Sequence, residues 1–381
     1  MDKFVDIRPY LDHEIRPVLD KLIANPEFLG SIASFYSPKL SRLLPAIMQG
    51  LARRKLAGQL KDVQSVAGMQ DVVAGYMDKM IEDTTTSLKH SGMEHLQEGR
   101  SYLFISNHRD IVMDPAFVNY MLYHAGYQTL QIAIGDNLLK KPFVSDLMRL
   151  NKSFIVRRSL KGRELLKALV LLSEYIHHSI DSGQNVWIAQ REGRAKDGID
   201  KTDAALLKML AMSQRKIPLS ESLAKLHIVP VTISYEYDAC DILKAEELFQ
   251  LESEGSYTKT ENTDINSIVT GMIGFKGDVH VAFGRELSLN SDAPDAIAAE
   301  IDEQILKNYK LRDINYLALE RLKNTGMLDC SDLSSEPYQH ESSEASRLEF
   351  ERRLNALDPK LQKHYLFGYG NPVLCSQRGS G

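Results

Sequence analysis

From residue 100 onward, short apolar runs alternate with helical stretches, and this alternation limits the fold more than any other feature of the chain. The runs are Tyr102–Ser106, Thr129–Ile134, Phe154–Val156, Val186–Ala189, Ile228–Ser234 and Val279–Phe283. Helical patterns lie between them, notably Gly162–Ser179 and Thr202–Ser213. Single strands separated by helices pair side by side and leave the helices on the sheet faces. The expected fold class is therefore α/β, with a mixed, mainly parallel sheet covered by helices.

The first 95 residues read as a helical region. Leu11, Ile15, Val18, Leu19 and Leu22 recur at helical spacing, and Pro9, Pro17, Pro26, Pro38 and Pro45 cut the region into short pieces. Leu40–Leu60 sets Leu43, Leu44, Ile47, Met48, Leu51, Leu56 and Leu60 beside Arg42, Arg53, Arg54, Lys55 and Lys61. A basic amphipathic helix of this kind suits an anionic lipid surface, and the same pattern suits a helix packed on its own core. Glu252–Asn266 is polar and reads as a loop, and Ser331–Ser346 as a linker. A charged helix, Glu344–Leu357, and an aromatic tail, His364–Tyr369, follow. The expected division is a helical region 1–95, an α/β domain 96–325, and a linker with helical tail 326–381. A length of 381 residues allows one large domain with appendages, or two domains.

Composition excludes several classes. Hydrophobic residues make up 43% and charged residues 25%, which is ordinary for a globular chain and unlike a disordered or collagenous one. The net charge is −5, so no global basic field holds nucleic acid. Three scattered cysteines, Cys240, Cys330 and Cys375, fit a reducing compartment and make neither a disulfide framework nor a cysteine zinc cluster. Leu165–Ile176 is interrupted by Lys167, Ser173 and Glu174, short of the roughly 18 apolar residues of a membrane span. The expected location is cytoplasmic, peripheral on the inner face of the membrane. No G-x-S-x-G elbow, P-loop, G-x-G-x-x-G or H-E-x-x-H occurs, which removes the usual support for serine hydrolases, kinases, dinucleotide enzymes and zinc proteases.

The chemistry concentrates in four segments that follow strands. In Phe104–Pro115 a strand ends in Ser106-Asn107, His108 stands at the start of the next helical run, and Asp110 and Asp114 follow. A neutral imidazole there suits a general base, and a carboxylate fixes its tautomer. The alternative is that Asn107 caps the helix and His108 is a plain loop residue. Gly135-Asp136-Asn137-Leu138 ends the next run. Arg157, Arg158, Lys161 and Arg163 supply four cations after Phe154–Val156, a composition suited to a phosphate. Arg191-Glu192-Gly193-Arg194-Ala195-Lys196-Asp197-Gly198 follows Val186–Ala189. Each segment alone reads as a solvated loop; together they sit where α/β sites gather.

In order and spacing these blocks resemble the glycerophospholipid acyltransferases, which include glycerol-3-phosphate and 1-acylglycerol-3-phosphate acyltransferases. The resemblance covers about residues 100–290. Asn107-His108 and Asp114-Pro115 match the two ends of the family's first block. Gly135-Asp136-Asn137-Leu138 with Phe154–Arg158 and Lys161-Gly162 matches the second. Gly193, Arg194, Lys196 and Gly198 fall in step with the third, and Ile228-Val229-Pro230-Val231-Thr232-Ile233-Ser234-Tyr235-Glu236 with the fourth. Two departures stand out. Five residues rather than four separate His108 from Asp114, so the two would not share a face of a regular helix. Glu192 is displaced by one from the family's glutamate.

The resemblance implies transfer of a fatty acyl group from a thioester, acyl-CoA or acyl-carrier protein, to a hydroxyl of glycerol 3-phosphate or its 1-acyl form. It implies His108 as general base with Asp114, which Pro115 favours over Asp110. Gly135, Asp136, Asn137, Arg157, Arg158, Lys161, Glu192, Gly193, Arg194 and Pro230 would bind substrate. No bound cofactor or metal is called for. The partners expected are the thioester donor, a glycerol-phosphate or lysolipid acceptor, and a membrane surface, with no nucleic acid. Acylation of another lysolipid, such as lyso-ornithine lipid, is the alternative within this chemistry. A non-catalytic lipid-binding protein and a thioesterase are the alternatives outside it.

Overall fold

The computed structural model describes residues 2–260, 263–328 and 340–378. Cys330, most of the expected Ser331–Ser346 linker and Gly379-Ser380-Gly381 lie outside the described residues.

Five helices open the chain: α1 (Asp12–Ala24), α2 (Pro26–Tyr36), α3 (Pro38–Leu43), α4 (Pro45–Gln59) and α5 (Val66–Thr84). Proline stands at the first position of α2, α3 and α4, where its missing N–H costs nothing and its fixed φ favours the helix. The amphipathic stretch expected over 40–60 is thus two helices broken at Pro45. The helical region also ends sooner than expected, because Thr85–Ser91 forms strand β1. Its sequence, Thr-Thr-Ser-Leu-Lys-His-Ser, has one large apolar residue and gives no apolar run to detect.

The remaining elements run β2 (Leu103–Ser106), α6 (Met113–His124), β3 (Gln131–Gly135), α7 (Pro142–Leu150), β4 (Ser153–Val156), α8 (Gly162–Asp181) and β5 (Val186–Ala189). Then come α9 (Ala204–Leu210), α10 (Leu219–Ala224), β6 (Ile228–Tyr235), α11 (Asp241–Glu254), α12 (Thr263–Ile273), β7 (Gly277–Phe283) and α13 (Pro294–Asn308). The chain closes with α14 (Asp313–Asn324), α15 (Glu344–Asn355) and α16 (Gln362–Arg378). Glu252–Asn266, expected as a loop, contains the end of α11 and the start of α12.

The seven strands form one sheet in the order β1-β7-β6-β2-β5-β3-β4. All neighbours pair parallel except β6 with β7, so the sheet is mixed and mainly parallel, as expected. Alternation along β2 explains its two-sided burial. Leu103 and Ile105 enter a core with α8, α9 and α13, whereas Tyr102 and Phe104 enter a core with α6 on the other face. All eight residues of β6 are buried, as expected for an inner strand covered on both sides. Burying one Leu, Ile or Phe of this kind contributes about 1.5–3 kcal/mol.

The C-terminal helices are not a free tail. Phe350, Leu354, Tyr365, Leu366 and Val373 share a core with Leu317, Ala318 and Leu322 of α14. Where α16 crosses the loop after β5, Gly198 has φ +80°, and a Cβ there would lie 2.3 Å from the Gly368 carbonyl oxygen. Only glycine permits that approach. Tyr369 donates to Asp241 Oδ2 at 2.8 Å and accepts from the Asp238 N–H at 2.9 Å. Burial and the nearby Asp238 charge push the Asp241 carboxyl up to about 6. That exceeds its unfolded value of about 4, so the folded chain binds this proton more tightly. The Asp241 contribution to stability is therefore fully present below about pH 4 and declines as pH rises through 6. Asp241→Asn should raise unfolding free energy at pH 8 by about 1–2 kcal/mol and leave it nearly unchanged at pH 4. Denaturant titrations at the two pH values check this; equal effects at both would contradict it.

Candidate active site

The loop between β2 and α6 carries the chemistry. Asn107 pins its start: its amide oxygen accepts from Ile233 N at 2.8 Å, and its amide nitrogen donates to Ile233 O at 3.0 Å. Asp110 pins its end by accepting from Val112 N and Met113 N, both at 2.9 Å, which caps the start of α6. Burial, then the neighbouring Asp114 charge, push the Asp110 carboxyl up. Helix α6 begins only at Met113, so His108 lies in the loop and not at a helix start as expected. The extra residue between His108 and Asp114 is taken up by this turn, and no bulge within the helix is needed.

The loop folds the imidazole back onto Asp114. His108 Nδ1 lies 2.9 Å from Asp114 Oδ2. Since a carboxylate only accepts, Nδ1 holds the proton and Nε2 is the basic nitrogen. The Arg109 and Asp110 backbone N–H groups donate to the same oxygen at 2.6 and 2.9 Å. The Tyr235 hydroxyl donates to Oδ1 at 2.7 Å. Asp114 is fully buried in the first turn of α6, where the helix dipole favours a negative charge. The His108 side chain keeps 14% exposure, and its ring meets the edge of Trp187 at 6.0 Å. Asp110 is committed to its cap, so Asp114 is the carboxylate that partners His108.

A buried ion pair supports the loop from behind. Arg109 Nη2 donates to Asp200 Oδ2 at 2.6 Å and to Gly198 O at 3.1 Å, and the guanidinium lies 5.3 Å from the Tyr309 ring. Burial alone would lower the Arg109 pKa, but the charge and hydrogen bond of Asp200, together with Tyr309 and Asp238, outweigh it and raise the value. Ala195 N donates to His108 O at 2.7 Å, which ties the loop after β5 to the histidine backbone.

The other expected site residues follow the C-terminal ends of β3, β4 and β5, on the same edge as His108. Asp136 accepts from Arg158 N at 3.1 Å and from the Ser159 hydroxyl at 2.5 Å, joining the loops after β3 and β4. These bonds hold the Asp136 carboxyl below the usual range, although burial opposes them. A Cβ on Gly135 would sit 2.3 Å from Asn137 Oδ1 and 3.2 Å from Arg158 Nη1, so glycine keeps these groups in place. Arg158 lies 3.5 Å from Glu192, joining the loops after β4 and β5. Arg157 lies 3.7 Å from Asp6 and Lys161 is exposed. Gly193 takes φ +80° at the exposed tip of its loop. Arg194 turns inward: Nη2 donates to Ser267 Oγ at 3.2 Å, while Nη1 is buried with no hydrogen-bond partner among the described residues. Pro230 does not join this group. It pairs with Ile105 inside the sheet, three residues before His108, and is buried there.

An apolar groove lies against the first turn of α6, the turn that carries Asp114, although neither His108 nor Asp114 lines it. Val112, Pro115 and Ala116 of the first turn of α6 line one end, with Ile134, Leu138 and Ile268. From there it follows α6 to Tyr123. The groove, Tyr235 and the Arg109–Asp200 pair were not marked as site features by the sequence. Tyr235 alone left a signal, as a residue of the fourth block.

Residues 87–234 match the family model described as Acyltransferase. The chain is 27% identical over 245 residues to a glycerol-3-phosphate acyltransferase of Pseudomonas syringae pv. syringae, covering 63% of this chain and 28% of that one. It is 27% identical over 194 residues to a glycerol-3-phosphate acyltransferase of Haemophilus influenzae, covering 51% of this chain and 22% of that one. The chain thus spans about a quarter of the length of these curated relatives. The 1-acyl-sn-glycerophosphate acyltransferase of Thermotoga maritima is 11% identical, with a TM-score of 0.39 over 76% of this chain and all of that one. At that score the fold rests on the sheet described above.

Proposed function

The chain carries an acyltransferase domain of the glycerophospholipid acyltransferase family, and from this premise we propose that it moves a fatty acyl group from a thioester to a hydroxyl of glycerol 3-phosphate or its 1-acyl form. The carrying observation is the 2.9 Å contact between His108 Nδ1 and a sealed Asp114, with an apolar groove against the first turn of α6 and a rim of cations nearby. His108 Nε2 takes the proton from the acceptor hydroxyl as its oxygen attacks the thioester carbonyl. Asp114 holds the Nδ1 proton and balances the imidazolium that forms. When the tetrahedral intermediate collapses, the C–S bond breaks and the proton passes to the departing thiolate. The groove takes the acyl chain, and an exposed backbone N–H after β3 or β5 stabilises the oxyanion.

Arg194, with Arg157, Arg158 and Lys161, holds the acceptor phosphate. Arg194 leads this set because its inner nitrogen is buried with no hydrogen-bond partner among the described residues. Positioning the acceptor in this way can account for several kcal/mol of the barrier. Arg194→Ala should raise KM for glycerol 3-phosphate by about tenfold to a hundredfold and change kcat much less. An unchanged KM would point instead to a phosphate-free lysolipid acceptor.

The N-terminal helices supply the lipid contact in this reading. Phe35, Tyr36, Leu40, Leu43, Ile47 and Leu51 are exposed, Leu43 at 73%, amid exposed Lys39, Arg42, Arg53, Arg54 and Lys55. Such a face suits the surface of an anionic bilayer. Among the described residues no helix is long and apolar enough to cross a membrane.

A further inference from the structure

We propose that Tyr235 is a positioning residue for the His108–Asp114 dyad, acting through the second oxygen of the carboxylate. The two oxygens of Asp114 are held in different ways. Oδ2 takes the imidazole and two backbone N–H groups, all from the loop that carries His108. Oδ1 takes the Tyr235 hydroxyl, its one hydrogen-bond donor among the described residues.

Tyr235 belongs to the sheet. It is the last residue of β6, paired with Val279 of β7, and the next residue continues the tie through Glu236 N to Asp278 O at 2.9 Å. Two residues earlier, Ile233 is bonded to Asn107. The ring packs 6.0 Å from Phe117, one turn along α6 from Asp114. The sheet therefore fixes the hydroxyl, and the hydroxyl fixes the rotation of the carboxylate. Without that donor the buried Oδ1 loses its hydrogen bond, and the rotation of the carboxylate is held from the Oδ2 side alone. Burial, then the Asp114 and Asp110 charges, raise the phenol well above its ordinary range, so it remains a protonated donor. Since Tyr235 also borders a small cavity shared with Arg109 and Tyr309, truncation to alanine would admit water to Asp114. Phenylalanine removes the hydroxyl alone.

The catalytic consequence rests on the acyl-transfer reading above; the coupling of tyrosine, aspartate and histidine is open to a readout that needs no turnover. The experiment uses the full chain as wild type, Tyr235→Phe, Asp114→Asn and the double variant. Thiol release from acyl-CoA with glycerol 3-phosphate gives kcat and KM, and proton NMR follows the downfield imidazole N–H resonance identified by its loss in His108→Asn. Tyr235→Phe should lower kcat about tenfold with KM within about twofold, and should displace or broaden the resonance. In the Asp114→Asn background it should cost less than about twofold more, because both changes act on one carboxylate. An unmoved resonance overturns the proposal, whether kcat is unchanged or falls along with the melting temperature. Fully additive losses in the double variant overturn it as well. If the wild type is inactive but Tyr235→Phe moves the resonance, the coupling stands and the acyl-transfer reading falls.

Discussion

His108→Ala lowers kcat for ester formation by about 10²–10⁴-fold, with KM for donor and acceptor changed only a few-fold. The magnitude is that of losing a positioned general base. The fold should tolerate the change, because Asp114 keeps the Arg109 and Asp110 backbone donors and the Tyr235 hydroxyl after the imidazole is gone. A melting temperature within a few degrees of wild type, beside lost turnover, is the expected pair of results. Undiminished turnover with glycerol 3-phosphate and with its monoacyl form would remove His108 from the mechanism.

The second large effect is on stability. Asp200→Ala should lower the unfolding free energy by about 3–5 kcal/mol, read from denaturant midpoints. Arg109 and Asp200 side chains are only 6% and 4% exposed, and Arg109 Nε already lacks a hydrogen-bond partner among the described residues. Removing the carboxylate leaves a buried guanidinium with its charge uncompensated. Asn107 also loses its 3.3 Å contact to Asp200. Since Arg109 follows His108 in the chain, turnover should fall together with stability. A loss under about 1 kcal/mol would mean that water or another group reaches the guanidinium.

The sequence made some of this legible for clear physical reasons. Strands buried on both faces must be apolar almost throughout, so β2 and β6 announced themselves. Strand β1 did not, since it lies at the sheet edge with a polar sequence and, among the described residues, pairs only with β7. His108 and Asp114 were readable as residue types. Their contact was not, because it depends on where α6 begins, and the Asp110 side chain sets that start by capping. The cations after β4 were readable as a cluster, but composition does not say which face inward. Arg157 points toward Asp6, whereas Arg194, on another loop, is the one desolvated against α12. Pro230 belongs to a recognisable block yet sits within the sheet, because a motif records the strand as well as the site. The reach of α16 to Gly198 joins positions far apart in the chain, and no local pattern encodes it.

The central claim is tested most directly by following thiol release and lipid product together, using the purified chain, acyl-CoA or acyl-carrier protein thioester, and anionic vesicles. The account predicts thiol release that depends on glycerol 3-phosphate or its monoacyl form and is matched mole for mole by new ester. Free fatty acid released without acceptor, or vesicle binding with no thiol released from either donor, would contradict it.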